Sequence, residues 1–382
     1  MRDAPSFQTR AIHAGALRPR VQGAVVTPIF QSSTFEYQGE GYHDVGYIRL
    51  SSTPNHRVLA ARMAALEGTE AALCTSSGMA AIAATLLSLL ESGDHVLAQD
   101  CLYGGTSGLL AKELSRFGVA FSRIDPQEPD SWVRAMTPRT RLIYVETLSN
   151  PLLQMADLEA AVAFAREHRL FSVIDNTFAS PINFCPADLG YDLVVESCTK
   201  YLGGHDDLAA GCVAGRAEDI RRVKTTLDHL GGALDPHACF LLERGLKTLP
   251  VRIAHQNESA GRIAAYLRSH PSVRCVHHPG LPDHAQHERA SRLLRGFGGV
   301  FSLELTGTVE AADRFLGRLR IATVAGGLGG VASLAMRPAV VSHAGLTPEE
   351  RARIGITDTL IRFSVGLESS DDLIADLAQA LA

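Results

Sequence analysis

The sequence predicts an α/β protein: a mostly parallel sheet flanked by helices, followed by a smaller C-terminal α+β domain. Three observations carry that expectation. Between residues 57 and 215, short β-rich runs alternate with segments of helical period, the pattern of a parallel sheet covered by helices on both faces. Several of those runs are apolar throughout, as doubly covered strands should be. Beyond Asp235 the alternation gives way to long helical segments and separate apolar strands, which marks a second unit. At 382 residues the chain exceeds the size at which one hydrophobic core keeps growing.

The predicted strands are 71–75, 95–99, 119–124, 142–146, 171–175, 193–196 and 212–214. Helices are expected over 57–66, 79–91, 108–117 and 158–168, the last led by Asp157, whose carboxylate can accept from first-turn N–H groups. After Asp235, helices are expected at 237–247 and 252–269, with apolar strands at 300–305 and 361–365. Residues 1–46 show little periodicity and are rich in Gly, Pro, Ser and Thr, so they should form an extended arm. The expected division is thus 1–46, 47–245 and 246–382.

Apolar residues at 46% and charged residues at 20% are ordinary globular usage, far from the composition of a disordered chain. With 36 basic against 41 acidic residues, a net charge of −5 and no basic run, neither nucleic acid nor an anionic membrane is an expected partner; a small molecule is. The first residues lack the apolar centre of a secretory signal. The longest apolar-rich stretch, 79–90, is too short to cross a bilayer, so a cytoplasmic location is expected. The seven cysteines are odd in number, dispersed and free of C-x-x-C spacing, which reads as reduced, mostly buried thiols.

The chemistry centres on Ser197-Cys198-Thr199-Lys200-Tyr201-Leu202-Gly203-Gly204-His205, directly after an apolar run. Strand ends in open α/β sheets are where ligands bind. Lys200 there can form an imine with an aldehyde cofactor, provided burial or a nearby cation lowers its pKa. Ser197 and Thr199, two residues apart, would turn their hydroxyls to one side of an extended segment, where a phosphate can accept from both. Asp175 closes another apolar strand 25 residues earlier, and a buried carboxylate needs a partner. A protonated pyridine nitrogen is one, and the pairing would keep such a ring cationic and electron-withdrawing. Thr75-Ser76-Ser77-Gly78-Met79 joins a strand to a helix, so its N–H groups suit a phosphate and Gly78 permits close approach. Tyr103, after a further strand, can stack on a ring or move a proton. Taken singly, each has a bland reading: a surface lysine, a loop carboxylate, a capped helix, a Tyr-Gly-Gly turn.

In combination the chain resembles the Cys/Met-metabolism family of pyridoxal-phosphate (PLP) enzymes, which includes cystathionine γ-synthase, cystathionine γ-lyase, cystathionine β-lyase and methionine γ-lyase. The matching stretches are Tyr47-Ile48-Arg49, Leu66-Glu67-Gly68, Ser76-Ser77-Gly78-Met79, Tyr103-Gly104-Gly105-Thr106, Glu146 through Asn150-Pro151, Asp175-Asn176-Thr177, Ser197 through Gly204, and Ile361 through Leu367. They run in order across nearly the whole chain.

The resemblance implies the aspartate-aminotransferase-like fold of PLP-dependent transferases (fold type I), with PLP bound by the domain at 47–245. It implies that Lys200 holds the cofactor as a Schiff base and shuttles protons, that Asp175 pairs the ring nitrogen, and that Tyr103 stacks on the ring. Ser77, Gly78, Met79, Ser197 and Thr199 would hold the phosphate. Tyr47 and Arg49 would reach the same phosphate from a neighbouring subunit, to which the arm at 1–46 would also contribute, giving a homotetramer built from dimers with shared sites. Arg362 would clamp the substrate α-carboxylate, Asn150 would touch that carboxylate or the cofactor's phenolate oxygen, and Gly327 and Leu328 would lie against the substrate. The implied activity is γ-replacement or γ-elimination on a sulfur amino acid or homoserine ester. A cystathionine β-lyase or a methionine γ-lyase-like C–S lyase is the alternative, and an aminotransferase the more remote one.

Four glycines depart from the family pattern. Gly46 stands where an acidic residue usually precedes the cross-subunit tyrosine, and Gly105 where methionine γ-lyases usually carry a cysteine. Gly326 and Gly327 replace larger side chains in the substrate loop, which would widen the pocket. The Gly-rich loop lacks the spacing of a dinucleotide fingerprint. His277, His278, His284 and His287 invite a metal reading, the last two being spaced for one helical face. No carboxylate-rich or thiolate set around them completes a site, so no metal is expected.

Overall fold

The computed structural model describes residues 5–39 and 41–382; residues 1–4 and Glu40 of the expected arm lie outside the described residues. Strands β1 (Ala71–Thr75), β2 (His95–Gln99), β3 (Ala120–Ile124), β4 (Thr140–Glu146), β5 (Phe171–Asp175), β6 (Leu193–Glu196) and β7 (Gly211–Gly215) form one sheet in the order β1-β7-β6-β5-β4-β2-β3. All run the same way except β7, which is antiparallel to both β1 and β6. The sheet is mostly parallel, as expected, and the one reversal has a definite reason. Residues 197–210 return the chain by turns with no crossover helix, and without a crossover the next strand must reverse. That returning segment carries Lys200.

Side-chain alternation along each strand feeds two cores. Ile143, Val145, Ile174, Val194 and Cys212 pack beneath helices Pro54–Glu67, Leu158–His168 and Pro236–Arg268. Leu142, Tyr144, Val173, Leu193 and Val213 point the other way, under helices Gly78–Leu89 and Ala217–Leu230. Each fully buried side chain of this size contributes about 1.5–3 kcal/mol, so a strand cannot slip one residue without exposing a whole row. Register is therefore fixed, and it aligns Glu146 with Asp175 and Asp175 with Val195 at one edge of the sheet.

Two helical expectations change. Residues 108–117 belong to a run that begins at Gly104, widens to a π turn over Leu109–Glu113 and tightens over Leu114–Phe117. The helices expected at 237–247 and 252–269 are one helix, Pro236–Arg268, that continues through Pro250. Leu246, Leu249 and Ile253 are buried on both sides of the proline, and their packing outweighs one lost backbone hydrogen bond. The expected division between residues 245 and 246 falls within this helix. In the expected arm, Phe7–His13 is helical, is capped by Ser6 and buries Ala11 in the first core.

The second sheet comprises β8 (Val273–His277), β9 (Val300–Leu305), β10 (Thr323–Val324), β11 (Leu334–Met336) and β12 (Leu360–Ser364), in the order β10-β11-β12-β9-β8. Phe301, Leu303, Ile361 and Phe363 pack with Ile263 and Leu267 of the long helix and Leu373 and Leu377 of helix Ser370–Leu381. Arg362, between Ile361 and Phe363, therefore projects from the opposite face. His284 lies in a turn ahead of helix His287–Leu293, so His284 and His287 do not share a helical face as their spacing suggested. All seven cysteines are free thiols, six of them buried. No helix of the described residues is long and apolar enough to cross a membrane.

The Lys200 segment rests on the long helix through Gly245, where an added Cβ would stand 2.3 Å from the Gly203 carbonyl oxygen and 2.8 Å from that of Leu202. In an unobstructed helix Gly→Ala stabilises by about 0.5–1 kcal/mol. Here Gly245→Ala should instead destabilise by about 1–3 kcal/mol through overpacking, seen as a lower urea midpoint at unchanged slope.

Candidate active site

Beyond β6 the chain turns sharply. The Lys200 N–H donates to the Ser197 carbonyl (3.1 Å), the Gly204 N–H donates to that of Lys200 (2.8 Å), and Gly204 adopts φ +70°. The Arg252 guanidinium clamps the turn, donating to the carbonyls of Tyr201 and Gly245 at 2.8 Å each. The Tyr201 hydroxyl accepts from the Gly299 N–H at 2.9 Å. With Tyr201 and Leu202 buried, half-buried Lys200 is left facing a cavity of about 490 Å³ at the carboxyl edge of the large sheet. Burial and then the charge of Arg362 lower its pKa, while Asp206 acts the other way. Lowering favours the free amine, the form that attacks a carbonyl carbon.

Asp175 enters the same cavity from β5. Its Oδ1 accepts from the Thr177 N–H at 3.0 Å, and its Oδ2 lies 3.5 Å from the Tyr144 hydroxyl. Burial raises its pKa despite these donors. Its register partner Glu146 is pushed well above the usual carboxyl range by burial and then by the Asp175 charge, and its Oε1 accepts the Tyr103 N–H at 2.6 Å. Among the described residues no lysine, arginine or histidine forms an ion pair with Asp175. A cationic ring nitrogen would be a fitting partner for this carboxylate.

On the phosphate side, helix Gly78–Leu89 starts at this edge, with Ser77 as N-cap accepting from the Ala80 N–H at 3.1 Å. A Cβ at Gly78 would stand 2.8 Å from the Ser197 Cβ, so glycine is what lets the helix start lie against the β6 loop. Ser77, Gly78, Met79, Ser197 and Thr199 all line the cavity. The Ser197 N–H donates to the Thr177 hydroxyl (2.8 Å), and the Thr199 hydroxyl is paired with the Ala210 backbone. The helix terminus, two hydroxyl side chains and a gap kept clear of Cβ suit a phosphate; the amine and the carboxylate suit the ring of PLP.

Arg362 reaches the cavity from β12, fully buried, donating to Asn150 Oδ1 at 2.9 Å and to the Gly327 carbonyl at 2.8 Å. Burial brings its pKa down to about 10, which leaves it cationic at neutral pH. Gly326, Gly327 and Leu328 close that side. Tyr103 lines the mouth, its ring so near Gly105 that a Cβ there would stand 2.5 Å from the ring and 2.8 Å from the Met79 sulfur. Gly46 is buried against Phe35, where a Cβ would lie at 2.7 Å, so an acidic side chain has no room.

Every cofactor- or substrate-contacting residue implied by the sequence lines this cavity except Tyr47 and Arg49. Those two lie elsewhere, Arg49 over the Tyr47 ring at 5.6 Å and donating to the Asp228 carbonyl at 2.6 Å. Sequence reasoning gave no role to Glu146 or Thr177. Glu146 was detectable as an acid closing an apolar strand, but only the β4–β5 register shows that it adjoins Asp175.

Fold and site together define a lysine-centred PLP enzyme acting on amino acids. The family model for Cys/Met metabolism PLP-dependent enzymes matches residues 8–382, and the chain belongs to that family. It is 42% identical over 388 residues to an L-methionine gamma-lyase of Pseudomonas putida, covering 99% of this chain and 97% of that protein. It is 39% identical over 375 residues to a cystathionine gamma-lyase of Bacillus subtilis (strain 168), covering 98% of each. Among solved structures, cystathionine gamma-lyase from Lactobacillus plantarum complexed with L-serine superposes with a TM-score of 0.93 at 37% identity, covering 98% of each chain.

Beneath the site, Glu67 and Glu196 meet in the core, both fully buried. Burial raises Glu67 to about 8 and Glu196 well above its usual range. A carboxyl whose folded pKa is raised contributes stability that is complete below its unfolded pKa, near 4.5, and lost as pH rises through about 8. Glu67→Gln, which cannot ionise, should flatten the fall in Tm across that window, as calorimetry at successive pH values would show.

Proposed function

We propose that this chain catalyses γ-elimination or γ-replacement on a sulfur amino acid or homoserine ester, in the cytoplasm, as a homotetramer of dimers. One observation carries the reading: the Lys200 amine, the uncompensated Asp175 carboxylate and the buried Arg362 guanidinium share one cavity. Relatives named as γ-lyases at 42% and 39% identity favour γ chemistry, while a relative named cystathionine beta-lyase at 39% identity makes β-elimination the alternative. We take 47–245 as the PLP-binding domain and 246–382 as the C-terminal domain, the helix Pro236–Arg268 tying them together.

In this reading Asp175 pairs the ring nitrogen of PLP, and Ser77, Gly78, Met79, Ser197 and Thr199 hold its phosphate. Bound PLP supplies the electron sink that makes the substrate α-proton removable. Arg362 grips the α-carboxylate through its two terminal nitrogens, with Asn150 beside it. Gly327 and Leu328 face the substrate side chain. Lys200, kept partly neutral by burial and the Arg362 field, takes the α-proton and carries it onward. Tyr103 stacks on the ring at the cavity mouth, and its phenol moves a proton at the leaving sulfur or oxygen. Tyr47 and Arg49, exposed to a second copy, complete the phosphate site there.

The test is product identification with the PLP-loaded enzyme on cystathionine, methionine, cysteine, and O-acetyl- and O-succinylhomoserine with or without cysteine. Formation of 2-oxobutyrate, or of a thioether from a homoserine ester and cysteine, supports γ chemistry. Pyruvate from cystathionine as the sole keto acid would replace it with the β-lyase alternative. Amino transfer dependent on an added keto acid would point to an aminotransferase. Lys200→Ala should remove both the cofactor's visible absorbance and turnover. Arg362→Lys, losing the planar fork, should raise KM about 10–100-fold, the equivalent of roughly 1.5–3 kcal/mol. Coexpressed Arg49→Ala and Lys200→Ala chains should regain activity that neither shows alone; failure to do so would remove the shared-site proposal.

A further inference from the structure

We propose that Cys275, His277 and Glu304 form a binding site for a zinc-class divalent cation, apart from the catalytic cavity, that pins edge strand β8 to β9. In sequence, Cys275 and His277 stand two residues apart without a third ligand beside them. Strand pairing supplies the carboxylate, Glu304. A bulge at Arg274 leaves two residues of β8 opposite one of β9 and brings Cys275 into register with Glu304. Bulges at sheet edges commonly re-aim a side chain in this way. His277, two residues on, falls on the same face as Cys275, diagonal to Glu304.

The donor atoms meet at coordination spacing. Cys275 Sγ is 3.5 Å from His277 Nε2, His277 Nε2 is 3.7 Å from Glu304 Oε1, and all three donors lie within 4.8 Å of one another. A tetrahedral zinc with S, N and O ligands at about 2.0–2.3 Å holds them roughly 3.3–3.6 Å apart, so only small side-chain adjustments are needed. The second carboxylate oxygen of Glu304 faces Arg274 at 3.8 Å, leaving Oε1 to bind singly. One thiolate, one imidazole and one carboxylate select zinc, cobalt or a similar ion over magnesium or calcium. The side chains of His277 and Glu304 are 27% and 12% exposed, restrained yet open to an ion from solvent. A water can take the fourth position. None of the three residues lines the catalytic cavity.

The same distances also describe a thiol–imidazole hydrogen bond beside an ion pair, and the experiment separates the two. PLP-loaded enzyme is titrated with Co²⁺ and, by equilibrium dialysis, with Zn²⁺. The expected result is about one cation per chain, with a thiolate-to-cobalt absorbance that Zn²⁺ displaces and a Tm raised by the metal through mass action. Cys275→Ser and His277→Gln should abolish the absorbance and weaken Zn²⁺ binding at least about tenfold, Glu304→Gln somewhat less. Unaltered cofactor absorbance and metal-free Tm in each variant show that it is folded. Cation binding equal in wild type and Cys275→Ser, or no cobalt signal from folded wild type, would overturn the site.

Discussion

A carboxylate at the end of a strand, unpaired with any cationic side chain among the described residues, is the constraint around which the catalytic edge is organised. Asp175 is held by an amide and a phenol, donors that steady a charge without cancelling it. Its neighbour Glu146 is driven toward the protonated form by that same charge and by burial, so it sits beside Asp175 without a second negative charge. A cation that binds here gains what the chain itself does not provide. Lys200 is not that cation: burial and Arg362 weaken its hold on a proton, which suits an amine meant to react. Carboxylate, amine and guanidinium thus have different protonation tendencies within one cavity, and their environments set the differences.

The reversal of β7 makes this arrangement possible. A crossover helix after β6 would have carried the chain away from the sheet edge; instead residues 197–210 fold back across it. The segment buries Cys198, Tyr201 and Leu202 in the first core, and one arginine and one glycine of the long helix fix its turn. Arg252 holds the Tyr201 carbonyl, and Gly245 lets the helix backbone approach the carbonyls of Leu202 and Gly203. The helix then runs on into the second core, so the element that seats Lys200 also supports the sheet that carries Arg362.

Much of this was legible from residues alone. Apolar-rich runs located β1, β2, β5 and β6 to the residue, because the centre of a doubly covered strand is apolar on both faces. Lys200, Asp175 and Ser77 were found because each sits where such a run stops. What stayed hidden depends on pairing or length: the reversed β7, the continuity of the helix through Pro250, the apposition of Glu146 and Asp175, and the meeting of His277 with Glu304. Strand register is decided by the whole sheet, and no local period reports it. Tyr47 and Arg49 are a different case, since their proposed ligand lies in a second copy of the chain.

The glycines that depart from the family pattern are best understood through contact, not flexibility. At Gly105 and Gly46 a Cβ would enter an aromatic side chain, Tyr103 in one case and Phe35 in the other. A larger residue at 105 would displace the Tyr103 ring from the cavity mouth and press on Met79, so the glycine and the ring position are a single choice. Gly326 differs, since a Cβ there would meet only the end of Val341 at 3.2 Å. Residue 105 therefore bears on where the aromatic ring lies, while Gly326 leaves room in the cavity wall beside Val341. In the proposed reading that room would serve the substrate side chain, so the two positions would act on separate parts of one cavity.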